Sequence, residues 1–244
     1  MSDYRIHALD SSFERVRRAD EHLSELRQRF KTIREKQANS IGTYFRPHPP
    51  HHIIAEPFKE SHVTMRVGVA IGEICYNLKT ALDYLIFELA ELDSGSEQKN
   101  TQFPIMDAPE DFIRDAKRRW LNGVNATHIA CIERLQPYNR CNWTKILRDL
   151  SNTDKHREFA DIDGESAAFG YSRIADANFD SIDAPIRRTI HPVHGEVDVK
   201  VYVTMSIKFR NGTPVIETLE EIKAGVAQTL RDFQPEFERR KGAP

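Results

Sequence analysis

A chain of 244 residues with 39% apolar and 30% charged side chains has enough apolar material for a core and the balance of a soluble globular protein. Its formal net charge of −2 supplies no global field toward nucleic acid or anionic membranes, so any basic site has to be local. The three cysteines (Cys75, Cys131, Cys141) lack C-x-x-C spacing, the opening MSDYRIHALD lacks a signal peptide's apolar stretch, and no apolar run is long enough to span a membrane. The expectation is a cytoplasmic protein with reduced thiols and no membrane partner.

Residues 4–38 are predicted as one long helix. Leu9, Phe13, Val16, Leu23, Leu26, Phe30 and Ile33 recur at steps of three and four, with Ala19 or Asp20 filling the gap. Such a stripe suits packing along another long helix. Arg17, Arg18, Glu21, Arg27 and Arg34 read as its solvated face. Gly42 and Pro47 then bracket Tyr44 and Phe45, Pro49-Pro50 turns the chain, and Ile53-Ile54-Ala55 reads as a return strand. His48, His51, His52 and His62 raise the question of a metal, but the prolines hold this backbone extended and no zinc site is expected.

The strongest helical pattern covers 67–93. Ile71, Ile74, Cys75, Leu78, Leu82, Leu85, Leu89 and Leu92 form one apolar face, and Tyr76, Tyr84 and Phe87 a second. Two packing faces predict a central position in a bundle, where Asn77 and Asp83 would be partly buried and need partners. A polar loop, SGSEQKN, leads into the short extended piece TQFPIMD. A helix is predicted from Pro109 to Leu121, stopped by Asn122-Gly123. Another is predicted from near Asn125 to QPY, and a third contains Trp143.

From Ala167 the pattern changes to strands. FGYSRI, PIRRTI and VDVKVYVTMSIKF alternate or carry β-branched residues, the last reading as one strand over 197–209. Turns are expected at Asp163-Gly164, His194-Gly195 and Asn211-Gly212. A closing helix after Pro214 places Leu219, Ile222, Val226, Leu230 and Phe233 inward. The layout is α+β: a helical bundle with a long N-terminal helix over 1–160, a small antiparallel sheet over 165–210 and a C-terminal helix over 214–238, read as a single domain.

LSNTDKHREF, residues 150–159, is the candidate site. If the Trp143 helix continues unbroken, Arg148, Asn152 and His156 form a stripe at i, i+4 and i+8, and Asp154 and Arg157 can pair three apart. An arginine fork can hold a phosphate and a histidine can move a proton near neutral pH, with no metal or other cofactor. Alternatively the helix breaks and Ser151, Asn152 or Thr153 caps a new one. In a third reading the Asp154–Arg157 pair is buried against Asn77 or Asp83 as a structural network. No Walker-type loop, G-x-G-x-x-G, G-x-S-x-G or nucleic-acid recognition motif is present.

IGEICYNLKTALDYL, TQFPIMD, IERLQPY and LRDLSNTDKHREF resemble, in this order, the motif blocks of a widespread uncharacterised bacterial protein family. The chain more distantly resembles the HEPN superfamily, helical bundles that often dimerise and many of which are metal-independent ribonucleases. The usual motif of that superfamily is an Arg followed after four to six residues by a His. Here seven residues separate Arg148 from His156, and the alternative position KTALDY carries Lys79 and Tyr84 at its ends. The resemblance implies a dimeric endoribonuclease acting on RNA without a cofactor. Arg148 would grip the phosphate, His156 would move the proton, Asn152 or Lys155 would orient the phosphate, and Asp154 and Arg157 would brace the site. The competing expectations are a non-catalytic dimeric interaction module with a structural network at the DKHR stretch, and a small-molecule enzyme with Tyr76, Tyr84 and Trp143 lining a pocket.

Overall fold

The computed structural model describes residues 8–40, 43–45, 53–55, 62–155, 163–165, 168–171, 186–202, 206–209 and 211–241. Its contacts divide the chain into two compact units. One is formed by 1–24, 65–160 and 216–244, the other by 25–64 and 161–215.

The first unit is helical. Helix α1, Asp10–Ser40, contributes its residues up to 24 to this unit and continues into the other; it starts later than the apolar pattern predicts, because Ala8 and Leu9 form a turn. Leu9, Ala19 and Leu23 are buried, while Asp20 is exposed and pairs with Lys223. Ala19, not Asp20, therefore fills the gap in the stripe. Helix α2, His62–Ser94, carries the predicted apolar face, and Ile74, Leu78, Leu82, Leu85 and Leu89 are fully buried. Its second face does not pack as predicted: Tyr76 is 60% exposed and Tyr84 36%. A tyrosine keeps its hydroxyl wet at little cost, so helical spacing of aromatics does not by itself demand burial.

Helix α3, Pro109–Asp111, has proline in its first turn and runs directly into a π-helix over Phe112–Trp120. The sequence predicts a continuous helix here but not its π form. Phe112, Ala116 and Leu121 are all buried. They lie four and five residues apart, and nine residues are about two and a half α-helical turns. A regular α-helix would place Leu121 opposite Phe112, whereas the wider π turn returns it to the same side. The Leu121 N–H accordingly reaches back five residues to the Ala116 carbonyl, at 3.0 Å.

Helix α4, Ala126–Arg134, is capped by Asn125, whose side chain accepts from the His128 N–H. A 3-10 turn, Pro137–Asn139, follows, and then helix α5, Asn142–Lys155. Helix α6, Val215–Lys241, buries Leu219, Ile222, Val226, Leu230 and Phe233, as its spacing predicts. Lys223 of α6 ties it to Asp20 of α1. The Trp143 ring of α5 lies so close to Gly225 of α6 that a β-carbon there would sit 2.5 Å from it.

The second unit holds the rest of α1 and, among the described residues, strands that are all antiparallel. Strands β1, Thr43–Phe45, and β2, Ile53–Ala55, pair as predicted. Strands β3, Asp163–Glu165, β4, Ala168–Tyr171, β5, Ile186–His191, β6, Gly195–Tyr202, and β7, Ser206–Lys208, complete it. The order β4-β6-β5 makes one sheet, and β3 pairs with β7 in another. The continuous strand predicted over 197–209 is thus two strands in different sheets. Asp163-Gly164, predicted as a turn, lies within β3. The expected turns at His194-Gly195 and Asn211-Gly212 are present, with Gly195 at φ +72° and Gly212 at φ +81°.

Among the described residues, no helix is long and apolar enough to cross a membrane. His48, His51 and His52 lie outside those residues.

Candidate functional site

Helix α5 settles one alternative. It runs unbroken through Ser151 and Asn152 to Lys155, and the Ser151 hydroxyl donates back to the Leu147 carbonyl at 2.7 Å. Ser151, Asn152 and Thr153 are interior helical residues, so the new-cap reading is incorrect. Leu147 is fully buried and anchors the helix. Arg148 and Asn152 occupy the predicted stripe, with Arg148 half-buried and Asn152 exposed. Asp154 and Lys155 belong to the last turn of α5, but their side chains lie outside the described residues, as do His156 and Arg157 altogether.

The Arg148 guanidinium faces two carboxylates. Its Nε and Nη2 donate to Asp149 Oδ1 at 2.9 and 2.8 Å, and its Nη1 donates to Asp107 Oδ2 at 2.8 Å. Three of the five donors of the fork are engaged. Partial burial works against the charge, but the bonds to Asp149 and Asp107 outweigh it and hold the group above its ordinary pKa. A phosphate at this fork would have to displace both carboxylates or share it with them.

Asp107 ends a segment of one motif block, TQFPIMD, on which the other three converge. Residues 103–107 have no regular secondary structure, yet Phe103, Pro104 and Ile105 are buried. Asp83 of α2 accepts from the Phe103 N–H at 2.8 Å and also pairs with Lys79. Gln136 is fully buried. Its Oε1 accepts from the Met106 N–H at 2.9 Å, and its Nε2 donates to the carbonyls of Pro104 at 3.0 Å and Ile132 at 3.1 Å. Arg148 then holds Asp107. A buried irregular segment needs its backbone groups matched one by one, and these side chains supply much of that matching.

Asn77 is buried, as expected, with one partner on its own helix and one on α1. It accepts from Arg15 at 3.2 Å and donates to the Glu73 carbonyl at 2.9 Å. Asn77 and Asp83 are therefore satisfied by Arg15, Glu73, Lys79 and Phe103. Lys79, one end of KTALDY, is held by Asp83, and Tyr84, the other end, accepts from Arg15 at 3.3 Å. The three aromatics proposed as a pocket lining occupy separate environments: Tyr76 in solvent, Tyr84 under Arg15 and Trp143 against Gly225.

A second polar cluster has no counterpart in the sequence reading. His128 is buried, with Nδ1 2.8 Å from Asp93 Oδ2 and Nε2 3.9 Å from Glu236 Oε2. Asn125 joins the same Asp93, and the His128 ring meets Phe233 edge-on at 5.8 Å. An Asp–His pair can orient a general base, but Nε2 faces the Glu236 carboxylate, and no Ser, Thr or Cys side chain among the described residues bonds it. The cluster links α2, α4 and α6. Only Asn125, legible as a helix cap, signalled it in the sequence.

No protein-family model, curated protein or solved structure matches this chain.

Proposed function

We propose that this chain is a non-catalytic interaction module, and that three of its motif blocks hold the buried irregular segment of the fourth in place rather than carry a reaction. What supports this most is the engagement of the Arg148 fork by Asp107 and Asp149. A residue gripping a scissile phosphate needs donors free to meet it. Asp83 and Gln136 are spent in the same way on the 103–106 backbone.

In this reading the partner is a second copy of the chain. Val69 and Tyr76 lie seven residues apart on α2 and are 48% and 60% exposed, on a helix whose opposite face is buried in its unit. Light scattering should then give twice the 28.2 kDa chain mass, and Tyr76→Glu should shift it to one. A monomer at every concentration would remove the dimer from the proposal.

The competing ribonuclease reading has Arg148, Asn152, Asp154, Lys155, His156 and Arg157 act on RNA. The discriminating assay incubates single-stranded RNA with the purified protein in EDTA. No cleavage is expected from the parent. Cleavage that is lost in folded Arg148→Ala and His156→Ala variants would overturn the module and restore the nuclease.

A further inference from the structure

The loop after α2 and the end of the π-helix enclose an open cleft of about 700 Å³, lined chiefly by Lys99, Asn100, Gln102, Arg119, Trp120 and Asn122. That volume falls in the range of small-ligand sites. The motif network does not use it, and nothing assigned above involves its side chains.

The two walls are fixed to one another. The Gln102 N–H donates to the Trp120 carbonyl at 3.2 Å. The Asn122 side chain donates to Gln98 Oε1 at 2.9 Å. Gly123, at φ +82°, sits where a β-carbon would lie 2.6 Å from Gln98, so the loop closes tightly on the helix end. Asn100 holds a left-handed φ of +61°, a conformation that asparagine tolerates better than most residues. The π turn sets the register in which Arg119 and Trp120 reach this wall, and π segments occur often at functional sites.

The lining is specific in its chemistry. Arg114, Arg148, Lys79 and Lys223 all meet carboxylates. Lys99 and Arg119 have no carboxylate at ion-pair distance among the described residues. Asp115 lies near Arg119, but its hydrogen bond goes to Arg114. Among the described residues, two cations on one cleft, neither of them hydrogen-bonded to a carboxylate and only Arg119 near one, favour an anion, and a guanidinium beside an ammonium suits a phosphate. Trp120 adds an indole for a planar ring to stack on, and the amides of Asn100, Gln102 and Asn122 offer both donors and acceptors to a base edge. A purely apolar ligand would find little to cover here.

We infer that this cleft binds a nucleotide, with the base on Trp120 and the phosphate between Lys99 and Arg119. The same chemistry is presented by a free mononucleotide and by a 5′-phosphorylated RNA end. The inference is independent of the interaction-module reading, since it requires neither cleavage nor self-association.

Intrinsic fluorescence tests it. The chain has two tryptophans, Trp120 and Trp143, and only Trp120 lines the cleft. Adenosine monophosphate and a short 5′-phosphorylated oligoribonucleotide are titrated separately, with inorganic phosphate and adenosine as controls. Saturable quenching by at least one of the two nucleotide probes is expected. Quenching by the oligonucleotide alone assigns the cleft to an RNA end, and quenching by the monophosphate assigns it to a free nucleotide. Trp120→Phe should abolish the response. The Lys99→Gln, Arg119→Gln double variant, altering two exposed side chains, should weaken binding about tenfold or more. No saturable quenching with either probe, the same quenching in Trp120→Phe, or unchanged affinity in the double variant would overturn the inference.

Discussion

Replacing Gln136 with leucine leaves the Met106 N–H and the Pro104 carbonyl without the partners they have in the folded chain. A buried group stripped of its partner costs about 1 to 3 kcal/mol, so with two such groups urea unfolding of Gln136→Leu should show a loss of about 2 to 6 kcal/mol. The Arg148–Asp107 pair is a weaker contact, since the Asp107 side chain is 59% exposed. A double-mutant cycle with Arg148→Ala and Asp107→Ala should return a coupling below about 1 kcal/mol. Glu88 works against the fold at neutral pH: burial, then the charge of Glu91, raises its carboxyl above the ordinary value. The folded state therefore binds the proton more tightly than the unfolded one, and stability falls as pH rises from the unfolded pKa through the folded one. Glu88→Gln should raise the melting temperature at pH 7, and the gain should vanish at pH below the ordinary carboxylate range. Asn77 and Asp83 were legible as polar groups needing partners because they interrupt an apolar helix face, and Asn77 is buried and Asp83 half-buried. Gln136 and His128 were not, because what they satisfy is backbone or carboxylate contributed from elsewhere in the chain.

At the scale of elements, apolar period located the helices, and their long-range fit decided the details. Gly225 lies mid-helix, where alanine would ordinarily be preferred by about 1 kcal/mol. Its contact with Trp143 reverses that preference. Gly225→Ala should destabilise the protein by about 1 to 3 kcal/mol in urea unfolding, through forced displacement of the indole. The π-helix illustrates the same limit: Phe112, Ala116 and Leu121 hold its buried side, but a spacing of four and then five reads equally well as a helix that simply ends. The run from Val197 to Phe209 alternates without interruption, and nothing local marks where β6 leaves one sheet and β7 joins another. Strand identity depends on the partner, and the partners β4, β5 and β3 are supplied by other segments.

At the scale of the molecule, the α+β order of helices, strands and closing helix was readable because each segment carries its own period. The assembly of the helical unit from three separate stretches of chain was not, since no local pattern records which distant segments meet. Within that unit, the blocks around Asp83, Gln136 and Arg148 are dispersed in sequence and meet at residues 103–107. Native-state hydrogen exchange tests that convergence most directly. The amides of Phe103 and Met106 lie outside any helix or strand, yet they should exchange as slowly as those inside α2, because Asp83 and Gln136 hold them. Exchange at the rate of the neighbouring 95–100 loop would mean that the segment is not held, and the structural role assigned to the motif blocks would fall with it.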